Sequence, residues 1–225
     1  WERAITRFLL RRPALCVVLG EELRGDGEYL DAKRVVVIPN AVTDPCPSFW
    51  KELHAVRQAR REWLARALTP GTGPSGEPGR LRVLYLSLCM KEKGLFDAVE
   101  AVALANQRLA TAGSRLRVQL TIAGKFYLES EQREFEQRIT KLDLNGGAPA
   151  DTPVVSYLGF VSGEQKTRLF RDGDCFCFPS FYPMEGHPVS LVEAMAHGLP
   201  VVATRWRALP DLLPENYSGL VSVRE

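Results

Sequence analysis

Short apolar runs alternate along this chain with longer amphipathic stretches. The apolar runs predict strands at 14–19, 35–38, 81–87, 117–123, 154–158, 174–178, 200–203 and 219–222. Stretches with helical periodicity predict helices at 50–68, 94–112, 129–144, 162–171 and 189–197. Runs such as LRVLYLSL, LTIAG and VVSYLG suit strands covered by helices on both faces. Regular alternation of strand and helix predicts an α/β fold, with a doubly wound parallel sheet of Rossmann-like type.

Residues 1–34 fit that pattern poorly. ALCVVLG followed by EELRGDGEYLDAKR reads as the last strand and helix of a preceding domain, so the boundary is placed at 34/35, with the main domain over 35–225. The chain opens at Trp1 and ends on SGLVSVRE, a strand with no helix after it, which predicts a piece of a longer protein. In such a piece Phe8, Leu9, Leu10, Leu15 and Val17 would lack apolar partners and favour aggregation. The basic helix FWKELHAVRQARREWLARAL is expected to turn Trp50, Leu53, Val56 and Leu64 inward and its arginines outward, with membrane-surface or partner docking as the alternative. TPGTGPSGEPGR, at 69–80, reads as a loop. It contains a formal G-x-G-x-x-G over Gly71–Gly76, but it follows a helix and precedes a strand, the reverse of the dinucleotide-binding arrangement.

Composition narrows the function classes without selecting one. Across 225 residues, 25% are charged and 45% hydrophobic, as in an ordinary globular protein. A net charge of +2 argues against nucleic acid as the main partner, and no run approaches the ~20 apolar residues that span a bilayer. The cysteines are Cys16, Cys46, Cys89, Cys175 and Cys177. They lack metal-ligand spacing with nearby His, and the set suits a reducing cytoplasm. Cys175 and Cys177 alternate in a strand and are expected to pack on one face as small apolar groups.

Chemistry concentrates in PSFYPMEGHPVSLVEAMAHGLPVVAT, residues 179–204. It reads strand, tight loop, helix, strand. The helix therefore starts at the carboxyl end of a strand, where parallel sheets bind ligands. Its unpaired N–H groups and dipole favour an anion, above all a phosphate. Glu185 lies in the loop and Glu193 about one turn into the helix. Carboxylates are acceptors only, so beside a phosphate site they suit hydroxyl donors. Phosphate together with hydroxyls describes a sugar nucleotide. Lys93-Gly94, also between a strand and a helix, is a second phosphate candidate. Lys125 ends a strand and could line the same cleft. Asp172-Gly173-Asp174 has a metal-motif look but precedes a strand, where Asp and Gly make turns. His197 falls at a helix C-terminus, where the dipole favours a partly charged imidazole, and reads as structural.

Glu-x7-Glu within PS-x4-EG-x-P-x4-EAMA-x-G-x-PVVAT resembles the donor-binding signature of family 4 retaining glycosyltransferases. RVVVIPNAV and VLYLSLCMKEKG resemble that family's domain-opening strand and its phosphate loop, so the match runs from about Val35 to the end. The resemblance implies the GT-B architecture, two Rossmann-like domains facing across a cleft, with this chain as the donor-side half. It implies that Glu185 contacts the transferred sugar, Glu193 the ribose and Lys93 the diphosphate. Gly94, Gly186 and His187 would line the same site, although Pro188 has no N–H to give. The Gly159-Phe160-Val161 loop, with Phe160 and Val161, would lie near the base. No cofactor or metal is expected, and the substrate is a nucleoside diphosphate sugar. The acceptor, a glycan, lipid-linked or small molecule, would come to the absent N-terminal domain. The resemblance leaves a peripheral position at the inner face of a membrane open. The family's Gly-Arg pair is replaced by Ser87-Leu88, so a guanidinium is missing, with Lys91 and Lys125 as substitutes. The alternatives are a fragment that binds the nucleotide sugar without transfer, or a GT-B-like sugar-nucleotide epimerase.

Overall fold

The computed structural model describes residues 5, 8, 10, 12–68, 79–145 and 153–223. Leu9 and the formal glycine motif at 71–76 lie outside the described residues. Strands form at β1 (Cys16–Val18), β2 (Val35–Val37), β3 (Arg80–Leu86), β4 (Arg117–Ala123), β5 (Val155–Tyr157), β6 (Cys175–Phe178), β7 (Val201–Thr204) and β8 (Leu220–Val221). Helices are α1 (Arg24–Tyr29), α2 (His54–Leu68), α3 (Leu95–Thr111), α4 (Glu129–Asn145), α5 (Gly163–Asp172) and α6 (Val189–Ala196). Each element predicted from periodicity is present, within two residues at most ends.

The main sheet is six-stranded and wholly parallel, in the order β5-β4-β3-β6-β7-β8. The chain winds outward from β3 through β4 to β5, then returns through α5 to place β6 on the other side of β3. The order thus reverses between β3 and β6, with Val83 opposite Cys175 and Leu84 opposite Phe176. At such a switch point the helices after β3 and β6 leave to opposite faces of the sheet, where parallel sheets form a crevice at the strands' carboxyl ends.

The period of two along each strand sorts the core into two layers. Val83, Tyr85, Val118, Leu120, Ile122 and Cys177 pack with Leu95, Val99, Val102 and Phe135 of α3 and α4. Leu84, Phe176, Phe178 and Val201 pack with Phe170 of α5 and Leu191 and Ala194 of α6. Cys175 joins Cys177 on the first layer. Burial pushes the two thiols up to about 11 and about 12, which fits their expected role as apolar packing.

Two sequence expectations need correction. Strand β2 does not join the main sheet. It pairs in parallel with β1 in a separate two-stranded sheet, Cys16 opposite Val35 and Val18 opposite Val37. A division at 34/35 therefore cuts between hydrogen-bonded neighbours. The second correction concerns α2 and the π-helical turn before it, Phe49–Leu53. Leu53 is buried as expected, but Trp50 is 77% exposed and Val56 58%, while Arg57 is only 6% exposed. Arg57 donates from Nε to the His197 carbonyl at 3.0 Å, from Nη2 to the Phe170 carbonyl at 2.5 Å and from Nη1 to the Gly173 carbonyl. These are carbonyls that the ends of α5 and α6 leave without helical partners. A guanidinium is the side chain that can serve three acceptors at once.

Asp174 is a second buried polar anchor, and the ion pairs explain it better than a simple turn. Its side chain is fully buried and takes Arg60 at 2.8 and 2.9 Å and Arg82 Nη2 at 3.1 Å, plus the Arg82 backbone N–H at 2.8 Å. Burial pushes the carboxyl up, but the hydrogen bonds from Arg60 and Arg82 outweigh it and hold the group below its ordinary value. A depressed folded value stabilises the fold above the unfolded pKa of about 4 and loses that contribution as pH falls through the folded value. Asp174→Asn should therefore be less stable than wild type at neutral pH. Denaturant midpoints should converge as pH drops below about 4. A gap that stays constant through the acid range would rule this linkage out.

Candidate functional site

The loop after β3 and the loop after β6 meet at the switch point. Lys93, in a 3-10 turn over Lys91–Lys93, comes from the first, and Glu185 from the second. Lys93 Nζ lies 3.0 Å from Glu185 Oε1 and 2.9 Å from Oε2, with side-chain exposures of 13% and 5%. Ser180 donates its hydroxyl to Oε2 of the same carboxylate. The Lys93 ammonium also sits 4.5 Å above the Tyr182 ring, a favourable cation–π placement. Glu185 and Lys93, which the resemblance puts at the sugar and the diphosphate, thus form one nearly buried ion pair.

Two helix N-termini open beside that pair. Gly94 is left-handed, φ +75°, and a Cβ there would come within 2.1 Å of the Pro179 carbonyl. Only glycine lets the two loops approach so closely. The Gly94 N–H is given to the Lys91 carbonyl at 2.9 Å. The first helical bond of α3 runs from the Ala98 N–H to the Gly94 carbonyl, so the amides of Leu95, Phe96 and Asp97 have no helical partner. Helix α6 starts after Pro188 with no side-chain cap; the Leu191 N–H is given to the Pro188 carbonyl at 3.2 Å, which leaves the amides of Val189 and Ser190 without a helical partner.

The loop carrying Glu185 is held from several sides. Thr204 donates to the Ser180 carbonyl, Trp206 Nε1 to the Tyr182 carbonyl at 2.7 Å, and Asn40 Nδ2 to the His187 carbonyl at 2.7 Å. Gly186 faces Leu19, where a Cβ would meet the leucine at 2.8 Å. Arg207, in the left-handed region at φ 51°, reaches the Glu185 carbonyl from Nε at 3.4 Å and pairs with Asp26 of α1. His187 has a buried Nδ1 without a partner among the described residues. Burial lowers its pKa, so near neutral pH it presents a neutral ring.

Glu193 stands one turn into α6, largely buried, and takes Lys166 Nζ on Oε1 at 2.6 Å. The Lys125 ammonium lies 4.9 Å above the Phe160 ring. Phe160 is exposed, whereas the Val161 side chain is buried, which leaves only the Val161 backbone for a ligand. Leu88, at the position where the resemblance led us to expect a guanidinium, is half exposed. His197 differs from expectation. It is buried, stacks on Phe170 at 5.1 Å and places Nδ1 2.8 Å from the Glu193 carbonyl. Burial lowers its pKa, with Arg57 and Arg171 adding to the effect, so the neutral ring wins over the helix dipole.

Sequence reasoning missed Ser180, Asn40, Lys166 and Arg207. Ser180 and Asn40 sit inside the quoted PS and Pro-Asn motifs and could have been flagged there. Lys166 and Arg207 carry no local signal, because their partners lie 27 and 181 residues away. Among the described residues no group of three or more His, Cys, Asp or Glu could hold a metal ion, and no helix is long and apolar enough to cross a membrane.

This architecture is one Rossmann-like half of the GT-B fold, with a cation and two carboxylates at the carboxyl edge of its sheet. The model of the group 1 glycosyl transferases matches residues 75–225, well over half of the chain, and the protein belongs to that family. Over 143 residues it is 33% identical to the amylovoran biosynthesis glycosyltransferase AmsK of Erwinia amylovora, covering 62% of this chain and 31% of that protein. It is 32% identical over 145 residues to the D-inositol 3-phosphate glycosyltransferase of Pseudarthrobacter chlorophenolicus, 64% of this chain and 31% of that one. The chain thus spans about a third of the length of these relatives. In fold it is similar to Anabaena HepE, solved with UDP and glucose, at a TM-score of 0.62 and 21% identity. That match covers 99% of this chain and 53% of the other.

Proposed function

We propose that this chain is the donor-binding half of a retaining glycosyltransferase that moves a sugar from a nucleoside diphosphate sugar to an acceptor hydroxyl. The observation that carries the reading is the Lys93–Glu185 pair, set at the sheet's switch point between two helix N-termini. In this reading the diphosphate enters between the α3 and α6 N-termini and draws Lys93 from Glu185. The freed carboxylate accepts hydroxyls of the sugar, and Glu193 accepts those of the ribose. Gly186 and His187 border the sugar and diphosphate, and the Gly159–Val161 backbone borders the base.

In transfer, the bond from the anomeric carbon to the phosphate oxygen breaks while the acceptor oxygen bonds to that carbon on the same face. The departing phosphate oxygen takes the acceptor's proton. Negative charge builds on the leaving diphosphate, where Lys93 and the helix amides stabilise it, the kind of preorganised field that usually dominates catalysis. No metal is needed for this reading, because the ammonium and helix poles supply the positive field. The acceptor would approach from a facing domain. Titrating the chain with UDP, GDP and ADP should show a preference for one base. Glu193→Ala should weaken that binding by ~1.5–3 kcal/mol, as expected for hydrogen bonds to a charged group. A folded chain that binds none of the three would sink the proposal.

A second reading, binding without transfer, is favoured by one observation: Leu88 presents an apolar side chain where the resemblance calls for a cation. Donor binding with neither transfer nor hydrolysis of the nucleotide sugar would support it.

A further inference from the structure

Lys166 has an unfavourable address. It lies one turn into α5, where its N–H bonds to the Ser162 carbonyl and the helix pole is positive. A lysine there needs a compensating anion, and Glu193 supplies it at 2.6 Å. The pair is not a surface ornament, since side-chain exposures are 30% and 13%. Both helices begin at the carboxyl edge of the sheet, α5 directly after the Gly159–Val161 loop and α6 directly after the Glu185 loop. The ion pair therefore bridges the two loops that border the base and the sugar.

We propose that Lys166 is a positioning residue that holds the Glu193 carboxylate in place for the cis-diol of the donor's ribose. The inference rests on the functional reading above, in which Glu193 meets the ribose. A carboxylate has about four acceptor positions on its two oxygens. Lys166 occupies Oε1, and among the described residues no other side chain bonds this carboxylate. Capacity remains for two hydroxyl donors, as a 2′,3′-diol presents. Without Lys166, the Glu193 carboxylate would lose its fixed orientation, and the second helix start would lose its tie to the first.

The test compares the chain's affinity for a ribonucleoside diphosphate with that for the 2′,3′-dideoxy analogue of the same base. Wild type should prefer the ribose form, and Glu193→Ala should abolish that preference. Lys166→Met should lose about tenfold of it, with the dideoxy affinity little changed, and Lys166→Arg should restore most of it. The Lys166 side chain is partly exposed, so Met is expected to fold; Lys166→Gln provides a second, polar variant. Full retention of the preference in both neutral variants overturns the inference while leaving the ribose role of Glu193 intact. So does an equal loss for both ligands. If Glu193→Ala keeps the preference, or wild type binds no nucleoside diphosphate, the underlying reading of the site fails, and the inference fails with it.

Discussion

Replacing Lys93 with Met should weaken nucleoside diphosphate binding by roughly ten- to a hundredfold, the loss expected when one charged contact to the phosphates disappears. The same change should be costly to the fold. Glu185 is 4% exposed and would keep only Ser180 as a side-chain partner. Removing one member of a buried ion pair leaves an uncompensated charge and costs about 3–5 kcal/mol. The two effects separate in the double variant Lys93→Met/Glu185→Gln. It removes the stranded charge, so denaturant midpoints should recover most of the way, while nucleotide binding should stay weak. Calorimetry and chemical denaturation on the three proteins decide the matter. Recovery of binding together with stability would mean that Lys93 serves the fold alone.

Arg57→Met should be the most destabilising change away from the site. It strips the carbonyls of Phe170, Gly173 and His197 of their shared donor at once. Each buried acceptor left unsatisfied costs about 1–3 kcal/mol, so a loss of ~3 kcal/mol or more is expected. A methionine fills similar volume, so little of the loss can be assigned to a cavity. Because the guanidinium ties α2 to the ends of α5 and α6, the transition should also broaden if the elements come apart separately. A variant within about 0.5 kcal/mol of wild type would show that water satisfies those carbonyls instead.

The two anchors differ in how far the sequence reveals them. Periodicity found the strands and helices because a strand buried on both faces and an amphipathic helix leave local patterns. It also placed the loops after β3 and β6 between a strand and a helix at the sheet's carboxyl edge, since that order is a local feature. Glu185, Glu193 and Lys93 all lie on such loops or just beyond them. Arg57 could not be read in the same way. On a helical wheel it looks like one more solvated cation, and its burial depends on carbonyls more than a hundred residues away. His197 was misjudged because the dipole argument is local, whereas the Phe170 ring and Arg57 that surround it come from other elements. Strand β2 pairs with β1 rather than with the main sheet, a tertiary choice that the run VVV does not encode.

Lys166 illustrates the same limit within the site. Nothing in GEQKTRLF marks it, yet it fixes one of the two carboxylates on which the functional reading depends.

The most direct test is to map where a nucleoside diphosphate touches the chain, by following backbone amide chemical shifts during titration with the preferred nucleotide. The account predicts that the largest shifts fall on Lys93–Asp97, on Glu185–Ser190, around Glu193 and on Gly159–Val161, with little change along β1 and β2. Saturable shifts confined to another part of the molecule would contradict it.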